Sequence, residues 1–452
     1  MKLHLGIDDT DSLAGGCTTK IATDLVRKLE SKGAAFLDYP SLIRLNPNVP
    51  WKTRGNGAVC LRIESELHSV EVLELAAEEI ERSSRLGDPG TDPAIVLVGG
   101  AIPSDVAEFS VGALTRVVTP SAATSLIKKV GSEALSYGSA QGIVGALAAI
   151  GTSLDKDCTF ELIAYRSKNF IGKPRLVDRE SVMQMNEEMK DVTFNNVDPE
   201  TGRILITPRG PDPILCGLRG ESPEAVRKAF HMLRIREPVE TWMIFRTNQG
   251  TDAHLMRKCR ISELQDHSAV VVEGVVKEKP RTIRGGHVIF LLEEETGSVH
   301  CAAYEPTGRF RDVVRKLESG DRVRGFGGMR AADNEIPRTL NLEKLEVLKL
   351  VACMSSHNPI CPICGKRMKS AGKKQGYRCE HCGSHATSKI QEEVVRDLDE
   401  RIYLPPPRAH RHLTKPEVRY LRARHRINPP PQSEWHFPWG KSTLDKRVAS
   451  PR

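Results

Sequence analysis

The sequence predicts a multidomain α+β protein, and three observations carry that expectation. The chain has 452 residues, 39% of them hydrophobic, which is enough apolar material for roughly three or four packed units of about 100 to 150 residues. Its middle third mixes strand-like and helix-like segments. Beyond that, a run of short alternating strands is followed by two Cys-x-x-Cys pairs, which sets a small β-barrel and a metal knuckle apart from the rest.

The first element is a strand-like run, Leu3 to Ile7, ending in Asp8-Asp9-Thr10-Asp11-Ser12 and then Gly15-Gly16-Cys17-Thr18-Thr19. Three carboxylates within four residues repel one another unless a cation sits among them, and hard oxygen ligands at a strand end suit Mg²⁺ carrying substrate phosphates. The two glycines allow a tight turn into a helix expected over 19–31, whose first N–H groups can hold an anion. Thr18 stands there as hydroxyl donor, ligand or nucleophile. No Gly-x-x-x-x-Gly-Lys-Ser/Thr loop lies near, so any ATP chemistry is built another way. An Asp-rich surface turn before a capped helix is the ordinary alternative.

In the middle, roughly 120–265, Phe160 to Tyr165 reads as a strand, and Pro223 to Met232, preceded by Ser222, reads as a capped helix. Two glycine-dense stretches, 138–151 and 209–222, either line a ligand or serve helix packing and turns. From His267 to Val351, five or so short strands with Gly/Pro punctuation suggest a barrel of the OB type, a fold that often binds single-stranded nucleic acid. Cys361-Pro-Ile-Cys364 and Cys379-Glu-His-Cys382 then present four thiolates for a structural Zn²⁺ at about 2.3 Å each.

Charge narrows the function classes. The net +8 is concentrated in residues 401–452, where twelve Lys/Arg face three acids. Interleaved aromatics such as Trp435 make this tail a candidate for nucleic-acid phosphate and base contacts, with a disordered solubilising tail as the alternative. No apolar run is long enough to span a bilayer, and no signal-peptide-length stretch precedes Asp8, so a cytoplasmic, membrane-free protein is expected. Eleven cysteines, four of them in knuckles, do not form a disulfide framework.

Beyond these readings, the chain resembles the archaeal tRNA 2-agmatinylcytidine synthetases, which modify an isoleucine tRNA. The matching motifs run in family order over about residues 3–416: Gly6-Ile-Asp-Asp-Thr-Asp-Ser, Gly16-Cys-Thr-Thr, the segment Arg44 to Ala58, Gly142 to Gly151, Glu161-Leu-Ile-Ala-Tyr-Arg, Gly217-Leu-Arg-Gly-Glu-Ser, Thr247 to Leu255, the Cys knuckles and Arg411-His-Leu-Thr-Lys-Pro. The resemblance implies a kinase-like N-terminal α/β domain over 1–125, with parts up to 190 able to belong to it. A ferredoxin-like domain over 126–262, an OB fold over 263–352, a zinc ribbon over 355–390 and a basic tail over 391–452 follow. It also implies an ATP-dependent carbon–nitrogen ligase. The wobble cytidine of the isoleucine tRNA with a CAU anticodon is activated by phosphorylation at its C2 oxygen, and agmatine then displaces the phosphate, so that the tRNA decodes AUA.

Chemistry joined to these motifs gives the expected roles. Asp8, Asp9 and Asp11 hold Mg²⁺ and, with the phosphoacceptor Thr18, are catalytic. Thr10, Ser12, Gly15, Gly16, Thr19, Lys52 and Arg54, with Arg44 as a further candidate, meet ATP phosphates. Agmatine, a dication, needs carboxylates or carbonyls, for which Asp212, Gly217 and Gly220 stand as candidates. Arg408, Arg411, His412 and Lys415 contact tRNA. Two departures from the resemblance are that Lys20 stands where an aromatic is familiar and that Gly138 to Gln141 is neutral where family members can be basic. Two alternatives remain: a non-catalytic OB-fold and zinc-ribbon protein that binds single strands, and an RNA kinase or ligase using another amine.

Overall fold

The computed structural model describes residues 1–53, 55–420, 431 and 434–436. The N-terminal part runs β1 (Lys2–Asp8), α1 (Thr18–Ser31), β2 (Ala35–Phe36), β3 (Ser41–Arg44), β4 (Gly57–Glu64), α2 (Ser69–Ser83), β5 (Ala94–Gly99), α3 (Ser104–Thr115), α4 (Pro120–Lys129), β6 (Glu133–Ser136) and α5 (Gly142–Gly151). The strands lie in the order β6-β5-β1-β4-β3, with β1 antiparallel to both neighbours. Because side chains alternate along a strand, the sheet has two apolar faces. Leu3, Leu5, Ile7, Leu61 and Ile63 share a core with Ile21, Leu25, Val72 and Ile80 of α1 and α2. Cys60, Ala94, Val96 and Val98 meet α3, α4 and α5 on the other face.

Helix α5 is apolar all round and buried over its whole length. It reaches the sheet because glycine faces it: a Cβ on Gly6 would lie 2.1 Å from the carbonyl oxygen of Ala146. Although the chain reaches α5 only after α4 and β6, this helix packs on β1, β4 and β5 of the N-terminal sheet.

The next six elements are β7 (Thr159–Arg166), α6 (Arg179–Met189), β8 (Thr193–Phe194), β9 (Ile214–Gly220), α7 (Pro223–Met232) and β10 (Val239–Thr247). Their order β10-β7-β9-β8, antiparallel throughout, is the ferredoxin-like β-α-β-β-α-β arrangement. Ser222 caps α7 as expected, its Oγ accepting from the Ala225 N–H at 3.2 Å. β10 also pairs in parallel with β3, through Arg246 to Ser41 and Thr247 to Leu42, so both units share one ten-stranded sheet.

A closed barrel follows from β11 (Ala269–Val276), β12 (Arg281–Thr282), β13 (Val288–Glu294), β14 (Gly297–Ala303), α8 (Phe310–Arg315), β15 (Arg322–Arg330) and β16 (Thr339–Lys349). Apart from the short β12, the ring is β11-β15-β16-β14-β13 and back to β11, with β14 parallel to β16. That connectivity, with a helix between the third and fourth barrel strands, is an OB fold.

The chain then returns. The segment after the ribbon lies against β10 and the loop that follows it, where Gly250 N donates to His412 O at 2.9 Å and Asp252 N to Leu413 O at 2.8 Å. Farther on, Ile244 N donates to Trp435 O at 2.9 Å, and the Trp435 indole sits in the core beside Phe36 and Tyr39. Trp435 is therefore an internal anchor and not an exposed surface for stacking bases. Most of the basic tail, 421–430, 432–433 and 437–452, lies outside the described residues. Among the described residues, no helix is long and apolar enough to cross a membrane.

Candidate active site

An open cleft of about 740 Å³ lies where β1 ends and α1 and α5 begin. Asp8, Asp9, Asp11 and Thr18 line one side. Lys52, Thr53, Gly55 and Asn56 of the β3–β4 connection, Arg116 after α3, and Gln141 and Gly145 of α5 line the rest.

Thr18 is the first residue of α1, so its backbone N–H and side chain both sit at the helix's positive end. Its N–H donates to Asp11 Oδ1 at 2.8 Å, its hydroxyl lies 3.3 Å from the same oxygen, and Thr10 Oγ1 donates to Thr18 Oγ1 at 2.9 Å. A carboxylate and a second hydroxyl thus fix the rotamer of the candidate phosphoacceptor. The turn ahead of it is tight: Ser12 N donates to Gly15 O at 2.8 Å, and Gly16, at φ +79°, passes so close to Thr10 O that a Cβ would lie 2.7 Å away.

Crowding of acids dominates the electrostatics. Burial, followed by the adjacent charge of Asp9, holds the Asp8 carboxyl well above its ordinary value. Asp9, in the left-handed region at φ 58°, is pushed up to about 6 by burial and then by Asp92. Such a pair is costly until a cation or protons neutralise it. Among the described residues, only the four knuckle cysteines form a group of three or more ligands all within 4.8 Å of one another. Asp8, Asp9 and Asp11 all face the cleft, with Asp11 also bonded to Thr18, an arrangement that suits an ion taking one or two carboxylates plus phosphate oxygens.

Of the other expected phosphate contacts, Lys52 lines the cleft while its Nζ donates to Pro47 O at 2.6 Å. Thr10, Ser12, Gly15 and Gly16 build the turn and are not on the cleft wall. Thr19 turns inward to Cys17 Sγ at 3.1 Å, and burial pushes the Cys17 thiol up to about 12. Arg44 lies deeper, 4.0 Å from Glu161. Arg54 lies outside the described residues. Lys20 is turned away onto Asp24 and Glu240.

The candidates for agmatine separate. Asp212 is buried and paired with Arg175 at 3.2 Å. Gly217 borders Glu161, whose Oε1 would lie 2.8 Å from a Cβ there. Gly220 only makes room for Val192 O and Val226, which is a packing role. None of the three lines the cleft. Two of the four expected tRNA contacts are committed internally: Arg408 bonds Asp198 and Glu200 at 2.7 Å each, and Lys415 is buried with its backbone N–H on Asp252 Oδ1. His412 meets Gln249 Oε1 through Nδ1 at 3.1 Å and otherwise lines a second cleft. Arg411 is exposed beside the same cleft.

Several residues at or near the cleft escaped the sequence. Asp92 accepts from Ser139 N at 2.8 Å and Oγ at 2.6 Å, which fixes the loop Gly138 to Gln141 leading into α5. Arg116 and Gln141 are brought to the cleft by α3 and α5. Single residues in loops carry no spacing signal.

The knuckle passes a fit test for zinc. Its four sulfurs lie within 4.8 Å of each other, close to the edge of about 3.8 Å for tetrahedral Zn–S bonds of about 2.3 Å. Backbone N–H groups, that of Cys364 foremost, hold Cys361 down to about 6, and the Cys382 N–H does the same in direction for Cys379. Thiolates are thus favoured at Cys361 and Cys379 before metal arrives, while at Cys364 the lowering by the Lys366 N–H is outweighed by hydrogen bonding to Cys379 and by burial, which push its thiol up to about 12.

An acid- and threonine-lined cleft on a sheet shared with a ferredoxin-like unit, followed by an OB barrel and a zinc ribbon, points to a nucleotide-using enzyme that acts on RNA. Family models described as the TiaS TCKD domain, the TiaS FLD domain and the TiaS C-terminal zinc ribbon domain match residues 4–67, 140–254 and 358–398. TiaS of Methanosarcina mazei, a 2-agmatinylcytidine synthetase for an isoleucine tRNA, is 41% identical over 433 residues, covering 94% of this chain and 99% of its own. The crystal structure of TiaS in complex with that isoleucine tRNA species and ATP superposes with a TM-score of 0.85 at 39% identity, over 93% of this chain and 97% of that one. A complex of TiaS with the tRNA, AMPCPP and agmatine gives 0.83 at 36%, over 95% and 100%. The chain belongs to the TiaS family of tRNA 2-agmatinylcytidine synthetases.

Proposed function

We propose that this protein ligates agmatine to C2 of the wobble cytidine of the CAU-anticodon isoleucine tRNA at the expense of ATP, acting in the cytoplasm. The observation that carries the reading is the Thr18 hydroxyl, fixed by Asp11 and Thr10 at the N-terminus of α1 and facing the same cleft as Asp8 and Asp9.

Asp8 and Asp9 would hold Mg²⁺ together with the triphosphate, and the ion when bound supplies charge neutralisation for phosphoryl transfer. The N-terminus of α1 faces the phosphates, and Lys52 and Arg116 complement their charge. Thr18, already desolvated and oriented, is the phosphoacceptor. The cytosine C2 oxygen is a poor leaving group until it takes a phosphoryl group derived from ATP, with cleavage of a P–O bond of the triphosphate; the agmatine amine then attacks C2, loses a proton as the C–N bond forms, and phosphate departs with that oxygen. The OB barrel, the ribbon and Arg411 serve tRNA binding. A pure binding protein has no use for Thr18 and its carboxylates.

The test is incubation of the full chain with [γ-³²P]ATP, Mg²⁺, a CAU-anticodon isoleucine tRNA transcript and labelled agmatine, followed by nucleoside analysis. Agmatine-dependent conversion of the wobble cytidine that is lost in Asp9→Ala and Thr18→Val is expected. Binding of tRNA with no agmatine transferred would overturn the reading.

A further inference from the structure

A second cleft opens between the N-terminal sheet and the returning tail. It shares Leu45, Lys52, Gly55 and Asn56 with the phosphate cleft and adds Arg44, Arg411 and His412. His412 is exposed to it, and a chain of hydrogen bonds fixes which ring nitrogen faces out. Glu161 on β7 is ion-paired with Arg219 at 3.1 Å and Arg44 at 4.0 Å, and as a carboxylate it accepts. It accepts from Gln249 Nε2, which turns Gln249 Oε1 toward His412 Nδ1 at 3.1 Å. An amide oxygen cannot donate, so His412 Nδ1 carries the proton and Nε2 presents a lone pair. Among the described residues, Nε2 has no hydrogen-bond partner. A Cβ on Gly55 would stand 3.1 Å from it, so the glycine keeps the approach open.

The surroundings state what kind of ligand suits this acceptor. Arg44 foremost, then burial, Arg219 and Arg411, hold His412 well below its ordinary value, so the ring stays a neutral acceptor at physiological pH. A dication such as agmatine is repelled by these guanidiniums. A nucleotide fits, with its phosphate toward Arg411 and Lys52 and an N–H donor toward the ring. Cytosine offers an exocyclic amine where uracil offers an oxygen acceptor.

We propose that His412 Nε2 accepts a hydrogen bond from the exocyclic amine of the target cytosine and is a specificity-determining residue that rejects uridine at the same position. The proposal rests on the tRNA-ligase reading. Gln249 and Glu161 are positioning residues that set the tautomer. With uridine, two acceptors would face each other in a partly desolvated cleft, so discrimination comes from repulsion as well as from the lost bond.

The experiment measures equilibrium binding of the full chain to isoleucine tRNA transcripts with CAU and UAU anticodons, alongside agmatine incorporation, for wild type, His412→Ala and His412→Gln. His412→Ala should lose about tenfold in affinity for the CAU transcript while the UAU affinity holds or rises as the acceptor–acceptor repulsion is relieved, collapsing the preference. His412→Gln, whose amide oxygen can accept, should restore most of it. Thermal melts of the three proteins identify any variant that fails to fold, and Gln249→Leu provides an independent route to the same loss of preference. Equal weakening of both transcripts, or an unchanged cytidine-to-uridine ratio in His412→Ala, would overturn the proposal. Absent agmatine transfer by wild type with the binding preference intact would instead overturn the ligase reading alone.

Discussion

Gly145 lies directly against Asp8: a Cβ at position 145 would fall 1.7 Å from Asp8 Oδ2. The strand end and the first turn of α5 are thus fitted to each other through a missing side chain, and the carboxylate occupies the space. Gly145→Ala should displace Asp8 and lower agmatine transfer on the order of 10²-fold, the usual cost of an ångström-scale misplacement in an active site. Initial-rate measurements with a circular dichroism control would check this, and near-wild-type activity would refute it.

The acid crowding should be visible in stability. Asp9 is raised from 3.8 to about 6 in the fold, so the folded state holds the proton more tightly than the unfolded chain. That contribution is complete below the unfolded value and is lost as pH rises through about 6. At pH 8 the penalty amounts to at most about 3 kcal/mol. Without metal or nucleotide, the protein should melt at a lower temperature at pH 8 than at pH 5, and Asp9→Asn should flatten that difference.

The ribbon core is Cys361, Met368 and Cys379, separate from the apolar clusters of the sheet and the barrel. Chelation should therefore release zinc and unfold residues around 358–387, while the main melting transition stays within a few degrees of its original position. Cys379→Ser should reproduce both results. Loss of the whole transition would mean that the metal supports more than the knuckle.

Trp435 is packed between Phe36 and Tyr39, with ring centroids 5.4 and 6.2 Å away. Trp435→Ala should destabilise the sheet by about 3 kcal/mol, as removal of a buried aromatic does. A chain ending at 420 should show the same drop in a thermal melt, separately from any change in tRNA affinity.

Arg411 and Arg408 differ in what they already touch. Exposed Arg411 should contribute to tRNA binding, and Arg411→Ala should lower the salt slope of affinity by about one. Arg408→Ala should leave that slope unchanged and instead cost stability, because it strips a partner from each of Asp198 and Glu200. A salt titration of both variants distinguishes them.

Features with short-range signatures were legible in the sequence: the Asp-rich strand end, the Cys knuckles, the barrel strands and the cap of α7. Features created by distant packing were not. The glycine stripe of α5 looked equally suited to helix packing or a ligand, and what decides its close contacts is packing between elements far apart in sequence, Gly6 against Ala146 and Gly145 against Asp8. The basic tail read as a uniform nucleic-acid surface because charge counts do not reveal partners, yet Arg408 and Arg419 find acids some 200 residues upstream. The tautomer of His412 depends on a side chain that itself depends on Glu161, a relation no local pattern encodes.

The parallel pairing of β3 with β10 bears on how the molecule can be taken apart. A fragment ending near residue 125 would keep the aspartates and Thr18 but lose α5, and with it one wall of the cleft, and would leave the β3 edge exposed to other chains. The catalytic unit is therefore not a detachable cassette. Its smallest independently folding version extends at least through Thr247, and attempts to graft the phosphate site onto another RNA-binding partner must carry the ferredoxin-like unit along.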